Sequence, residues 1–354
     1  MGEAHFRRGR EDRVGNTKSV LLRILSFKIS FTLVVFVALF LVFTIFTPGH
    51  IFVSSANLAS LARLAPDLGI VALPVGMLMI CGEFDVSVPS IIAMSSFVFV
   101  NLLGWGVPLA VTPFLTLLVG ALMGLMNGIL VVKTRIPSFI ATLGTQLFWR
   151  GILYVTSQMM PIGLRSSLPS GSFFETLLIG NIGGVLPVQI LWLVGIALVL
   201  GFLVHRHRFG NWIFTTGDNK TAARAMGINT DRVKTACYVV VGVVCSFMAM
   251  MQALRIESFA ATQGIGMDLR AIASSVVGGV ALTGGIGSIP GVFFGTLTIQ
   301  IIENGLILMG APVFGINAFI GAVVILFVIL NVGIERLSLR AQAAASPAGK
   351  GNGQ

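Results

Sequence analysis

Glu83 and Asp85 stand two residues apart in "CGEFDVSVP", and Glu303 precedes Asn304 in "IIENGL"; both stretches adjoin runs that are otherwise apolar. Carboxylates in such places could line a polar path, pass protons or hold a solute. A charged side chain at the centre of a bilayer costs roughly 2.5–3.5 kcal/mol on insertion scales, so each needs a reason. For Glu83 and Asp85 the simpler reason is capping. They precede a helix start, where free N–H groups and the helix dipole favour an anion. Glu303 lies deeper, and a structural hydrogen bond and a path-lining role both stay open for it. Asn127, Gln146, Asn304 and Asn317 offer neutral hydrogen bonds, which suit a polyhydroxyl solute or a contact between helices.

Other reactive constellations are missing. The phosphate-binding pattern G-x-x-x-x-G-K-[ST] does not occur, nor do H-E-x-x-H and G-x-S-x-G. "GGIGSIPG" is glycine-rich, but it joins two apolar runs rather than a strand and a helix, so it does not read as a dinucleotide loop. Cys81, Cys237 and Cys245 lie in apolar runs without a C-x-x-C pair and read as small buried hydrophobes. His205 and His207 sit in a basic loop without further metal ligands. No catalytic residue, metal or bound cofactor is expected of this chain.

These side chains must be positioned by elements, and composition says which. Of 354 residues, 55% are hydrophobic and 10% charged, against about 25% charged in a soluble domain. About 20 apolar residues of helix cross a bilayer core. A closed barrel would need alternation over strands of about 10 residues, and "FTLVVFVALFLVFTIF" shows none. Ten runs read as spans: 29–47, 64–81, 88–104, 108–131, 136–156, 187–204, 235–256, 270–286, 289–309 and 313–333. The first is longer than a cleavable leader's core of about 7–15 residues. The expectation is an all-α polytopic membrane protein, about ten transmembrane helices in one bundle.

Charge orients the bundle. With the N-terminus inside, 18 of the 23 Lys and Arg residues fall on cytoplasmic segments, in line with the positive-inside rule. Arg63, Arg150, Arg165, Arg255 and Arg270 fall on the outer side. Both termini are then cytoplasmic, as tails 1–28 and 336–354 around a membrane domain 29–335. The net charge of +10 reads as topology and attraction to anionic membrane lipid, not as nucleic-acid binding. The longest outer loop, 157–186, is expected to fold over the outer mouth.

One cytoplasmic segment, 205–234, "HRHRFGNWIFTTGDNKTAARAMGINTDRVK", holds six Lys and Arg residues. Within it Asp218 is a good N-cap and Gly227 a good C-terminal stop. Between them Ala222, Ala223 and Met226 form a small apolar face, and Lys220 and Arg224 point to solvent. A helix of about two turns is too short to stand alone in water, so it must dock. The surface is either the end of its own bundle or a cleft in another protein. Since this chain lacks an ATP site, the second choice suggests a separate ATPase.

Two further patterns concern packing. Gly120, Gly124 and Gly128 form a stripe, as do Gly291 and Gly295; small residues four apart let helices approach closely in lipid. Ser87-Val88-Pro89 and Ser288-Ile289-Pro290 echo one another, either as a weak internal repeat or as two ordinary helix starts.

Four ordered motifs carry a resemblance over nearly all of 30–335. "GEFDVSVPS" (82–90) resembles G-G-[IF]-D-[LV]-S-V-G. "NGILVVKTRIPSFIATLGT" (127–145) is similar to N-G-x-[LI]-[VI]…[VI]-P-x-F-[IV]-x-T-L-G. "FGNWIFTTGDNKTAARAMGI" resembles F-G-R-x-x-x-A-x-G-x-N-x-x-A-A-R-x-x-G-[IV]. "AIASSVVGGVALTGGIGSIPG" is similar to A-[IV]-A-[AS]-x-[VI]-[IVL]-G-G-x-x-[LM]-x-G-G-x-G-[ST]-[VI]-x-G. Together they resemble the integral-membrane permeases of ribose/xylose-type ABC sugar importers. Glu83, Pro89 and Asn211 depart from the family pattern, which blurs the identity of the sugar.

The resemblance implies a type II-like ABC importer permease in a bacterial cytoplasmic membrane. It assigns Asn219, Ala222, Ala223, Arg224 and Gly227, with Asp218 as cap and Met226 beside them, to contact with an ATPase. It further implies two ATPase modules carrying ATP and Mg, a second permease subunit and a periplasmic sugar-binding protein. An ion-coupled secondary transporter, with Glu303 as its buried acid, is the alternative.

Overall fold

The computed structural model describes residues 30–164, 172–183, 186–312 and 318–329, with Gly315 and Gly333. Helix α1 runs Ser30–Phe46. It is followed by α2 (Ser55–Ile80), α3 (Val88–Gly104), α4 (Thr112–Thr134), α5 (Ser138–Ser157), α6 (Phe173–Ile179), α7 (Val188–His205) and α8 (Arg208–Asp218). Then come α9 (Lys220–Ala225), α10 (Thr230–Ile256), α11 (Met267–Val277) and α12 (Ile289–Leu308), and α13 runs Ala318–Ile329. Strand structure among the described residues is limited to two-residue pairs. Helices α2, α4, α7, α10 and α12 are long and apolar enough, by length and composition, to cross a membrane. The protein is an all-α, multi-pass membrane bundle.

Helix α2 is its axis. From Ala65 to Ile80 every residue is buried, with α7, α10, α11 and α12 packed around it. On the outside, α4 exposes Phe114, Leu118 and Leu122, α5 exposes Leu147 and Val155, and α7 exposes Leu198 and Phe202. Such faces belong against lipid or another apolar protein surface. The glycine stripe of α4 seats α10. A methyl group on Gly124 would lie 2.9 Å from the Tyr238 carbonyl carbon, and one on Gly242 would lie 2.8 Å from that of Gly120. The two backbones therefore touch, as a small-residue seam allows.

Two spans differ from their apolar runs. Helix α2 begins at Ser55 rather than at 64, because Ser54 caps it by accepting from Asn57 N at 3.3 Å. Its first turns carry Asn57 and Arg63, which a hydropathy reading leaves outside. The run 270–286 is helical only to Val277. Beyond it Gly279, Gly284 and Gly285 take positive φ, and the chain turns until α12. An 11-residue helix is about 16 Å long, short of a core of about 30 Å. At the opposite end, Ile162–Gly163 pairs antiparallel with Ser258–Phe259, tying the loop after α5 to the loop after α10. The tails 1–28 and 336–354, Arg165 and Asn317 lie outside the described residues.

Candidate functional site

The segment 205–234 folds as two helices rather than one short knob. Helix α8 takes Asp218 as its last residue, so Asp218 does not cap α9. Asn219 does, its Oδ1 accepting from Thr221 N at 3.1 Å and Ala222 N at 3.0 Å. Either residue type is a good cap; the length of α8 decides between them. The other end of α9 closes as the sequence suggests. Gly227 sits at φ +83°, its N–H donating to Arg224 O at 2.9 Å while Ile228 N donates to Ala223 O at 3.0 Å. This is the paired closure that favours glycine.

The small apolar face divides. Ala223 is fully buried against the bundle, Ala222 is exposed, and Met226 is 63% exposed. Arg224 is not a free cation. Its Nη2 meets Asp231 Oδ1 and Oδ2 at 2.7 and 2.8 Å, and its Nε donates to Thr230 Oγ1 at 3.0 Å, folding α9 back on the start of α10. With Trp212 of α8 also exposed, the segment presents Trp212, Ala222 and Met226 outward.

Beneath it lies a buried polar junction around residues 83–87, the turn between α2 and α3. Irregular backbone at such depth needs partners from elsewhere in the protein; three side chains supply them, and two more answer side chains of the turn. Tyr238 of α10 donates its hydroxyl to Phe84 O at 2.9 Å. Ser138 and Thr142 of α5 accept from Phe84 N at 3.1 Å and Val86 N at 3.0 Å. Asn127 of α4 donates to Ser87 Oγ at 2.7 Å, and Lys234 of α10 pairs with Glu83. Asp85 accepts from Ser87 N at 2.9 Å and Ser87 Oγ at 2.6 Å, closing a turn on the residue before α3 rather than capping the N–H groups of its first turn. Glu83 does not cap that helix; its charge is answered by Lys234 instead, because α10 passes directly behind the turn.

Three backbones meet where the segment touches the bundle. A methyl group on Gly284 would lie 2.7 Å from Gly82 Cα, and one on Gly285 would lie 2.8 Å from Asp218 Cα. Gly217 is wedged between Ile80 and Gly285. The end of α8 thus bears on both the α2–α3 turn and the α11–α12 turn. Each of these turns leads into a helix beginning Ser-x-Pro, with the proline in its first turn. The echo between Ser87-Val88-Pro89 and Ser288-Ile289-Pro290 therefore marks two helix starts that share one support.

The remaining polar residues lie apart from this junction. Glu303 of α12 pairs with Arg270 Nη1 of α11 at 3.0 Å. Asn304 exchanges two 2.9 Å hydrogen bonds with Asn57 of α2. Gln146 is half-buried on α5. The sequence reading missed Lys234, Tyr238, Ser138, Thr142 and Asn57. It also missed His205, whose Nε2 accepts from Ile289 N at 3.2 Å. A lysine in the first turns of an apolar run was the one local signal, and it was read as topology.

Residues 57–330 match the family model described as branched-chain amino acid transport system / permease component. The chain is 29% identical to the xylose/arabinose import permease protein of Sulfolobus acidocaldarius, over 89% of each chain. It is 32% identical to the ribose import permease protein of Escherichia coli K12, over 77% of this chain and 84% of the other. It is 31% identical to the autoinducer 2 import system permease protein of Photorhabdus laumondii, over 82% and 85%.

Proposed function

We propose that this chain, which belongs to the family of branched-chain amino acid transport system permease components, is the pore-forming permease of an ATP-driven importer for a monosaccharide or related polyol. The family is one of transport permeases rather than enzymes. Relatives whose printed names carry pentoses, at similarity along most of the chain, favour a sugar over the amino acids of the family's description. The orientation proposed from charge puts 205–234 and both termini in the cytoplasm of a bacterial inner membrane, and the paired loops after α5 and α10 outside.

ATP and Mg belong to a separate ATPase, and this chain binds neither. A second permease, identical or paralogous, completes the pore, and a binding protein on the outer face delivers the solute. Closure of the ATPase moves α8 and α9, and Gly217 passes that motion to the turns that start α3 and α12. The observation that supports this is the exposed tip, Ala222 and Met226, on a segment whose far side bears backbone to backbone on both turns. Tight solute binding resides in the delivery protein, so the pore needs no deep solute site of its own. Glu303, already paired with Arg270, is a poor candidate for the proton site of an ion-coupled transporter.

The test is uptake into sealed vesicles by the chain assembled with its ATPase and binding protein. Met226→Asp and Ala222→Asp should abolish ATP-driven uptake while leaving expression and elution unchanged. Unaltered uptake in both variants, or concentration of solute by the chain without an ATPase, overturns the reading.

A further inference from the structure

Two adjoining cavities follow the seam of α4 and α10 at the basic end of the bundle. The larger, about 740 Å³, is walled by Ile129 and Val132 of α4 and by Ala236, Val239 and Val240 of α10, with Lys133 and Arg232 at its lip. The smaller, about 490 Å³, adds Arg135 and Arg224. They share Asn229 and Asp231. From Thr230 down to Val240 the slot follows α10 for about 15 Å.

Its charge is one-sided. Asp231 is occupied by Arg224 and Lys220. Lys133, Arg135 and Arg232 are exposed, and none has a salt-bridge partner among the described residues. An apolar trough that ends in free cations at headgroup level is shaped for an amphiphile with an anionic head. A free anion would leave the trough unused. A second copy of the chain would bring little negative charge. Among the described residues of this end, Glu83 and Asp231 are paired, Asp85 is buried and hydrogen-bonded, and Asp218 is the remaining exposed carboxylate.

We infer that this slot holds one anionic glycerophospholipid, with an acyl chain along Val132, Ala236 and Val239 and its phosphodiester between Lys133 and Arg232. On the orientation proposed above the lipid belongs to the cytoplasmic leaflet. The measurement below does not depend on that orientation or on transport.

The full chain is purified from mixed micelles of phosphatidylglycerol and phosphatidylcholine in equal amounts, and retained lipid is counted by native mass spectrometry. The wild type should retain phosphatidylglycerol in preference. Each basic residue near a lipid surface adds about 1 kcal/mol, so Lys133→Gln with Arg232→Gln should lower that retention about tenfold or more. Phosphatidylcholine retention should not change. Val239→Trp fills the trough and keeps the cations; it should lower retention too, and Ala236→Leu serves if that variant elutes as aggregate. The inference is overturned by equal retention of both lipids, or by loss in the charge variant without loss in the trough variants, which means diffuse attraction. Displacement of the lipid by inorganic phosphate, or a Val240→Cys cross-link between two copies, overturns it as well.

Discussion

The backbone N–H of Gly285 donates to the carbonyl of Ile80 at 2.8 Å. That bond closes the turn between α11 and α12 onto the last residue of α2, the axis of the bundle. Gly217 of α8 fits into the same corner, and a methyl group there would overlap the Ile80 carbonyl oxygen and lie 2.7 Å from Gly285 N. The corner admits backbone and nothing larger.

Gly217→Ala should therefore act as overpacking and cost about 1–3 kcal/mol, visible as a lowered thermal midpoint in micelles and as reduced uptake. Gly227→Ala is the control. Its Cβ would meet open space, leaving only the left-handed backbone to penalise, at about 1–2 kcal/mol. A Gly217→Ala protein as stable as wild type would mean that the corner yields.

Glu83 and Lys234 leave only 11% and 10% of their side chains exposed. Removing one partner of such a pair strands a charge, so Glu83→Gln and Lys234→Met should each destabilise by about 3–5 kcal/mol. The double variant Glu83→Gln/Lys234→Met should recover most of the loss. Additive losses in the double variant would show that the charges do not answer one another.

Asn57 and Asn304 join α2 to α12 through a reciprocal amide pair. A double-mutant cycle with leucine at both sites should give a coupling of about 0.6 kcal/mol, up to about 1.7, as for hydrogen bonds between membrane helices. Asn304→Leu should keep its uptake rate. A large rate loss at unchanged stability would return Asn304 to the solute path.

Glu303 and Arg270 are partly exposed, at 21% and 36% of their side chains, and such a pair is worth about 0–1 kcal/mol. Glu303→Gln should leave ATP-driven uptake and its pH profile unchanged. Uptake that loses its response to an uncoupler in this variant would restore the ion-coupled alternative.

The spans were legible because burial in lipid demands long apolar runs, and the run from 235 to 256 needed only a few residues at its start to become α10. Hydropathy failed where an apolar composition hides a turn. "GGVALTGGIGSIPG" is as apolar as a helix, yet its glycines carry the chain through the α11–α12 turn. It failed again at Asn57, where polar residues lie inside a helix because a partner on α12 receives them. The stop at Gly227 was readable from one residue's conformational freedom. The pairing of Glu83 with Lys234 was not, since 151 positions separate them and only the close seam of α4 and α10 sets Lys234 behind the turn. The role given to α9 likewise came from motif likeness, and the burial of Ala223 could not be foreseen from an apolar face that looked uniform.

Most contacts between moving parts of a protein run through side chains, which swing between rotamers and absorb part of any push. Where Gly82, Gly217 and Gly284 come together there is no such cushion, only peptide groups pressed on peptide groups. On the coupling proposed above, a shove delivered to α8 would be passed on there without slack, as in a gear train cut with no backlash.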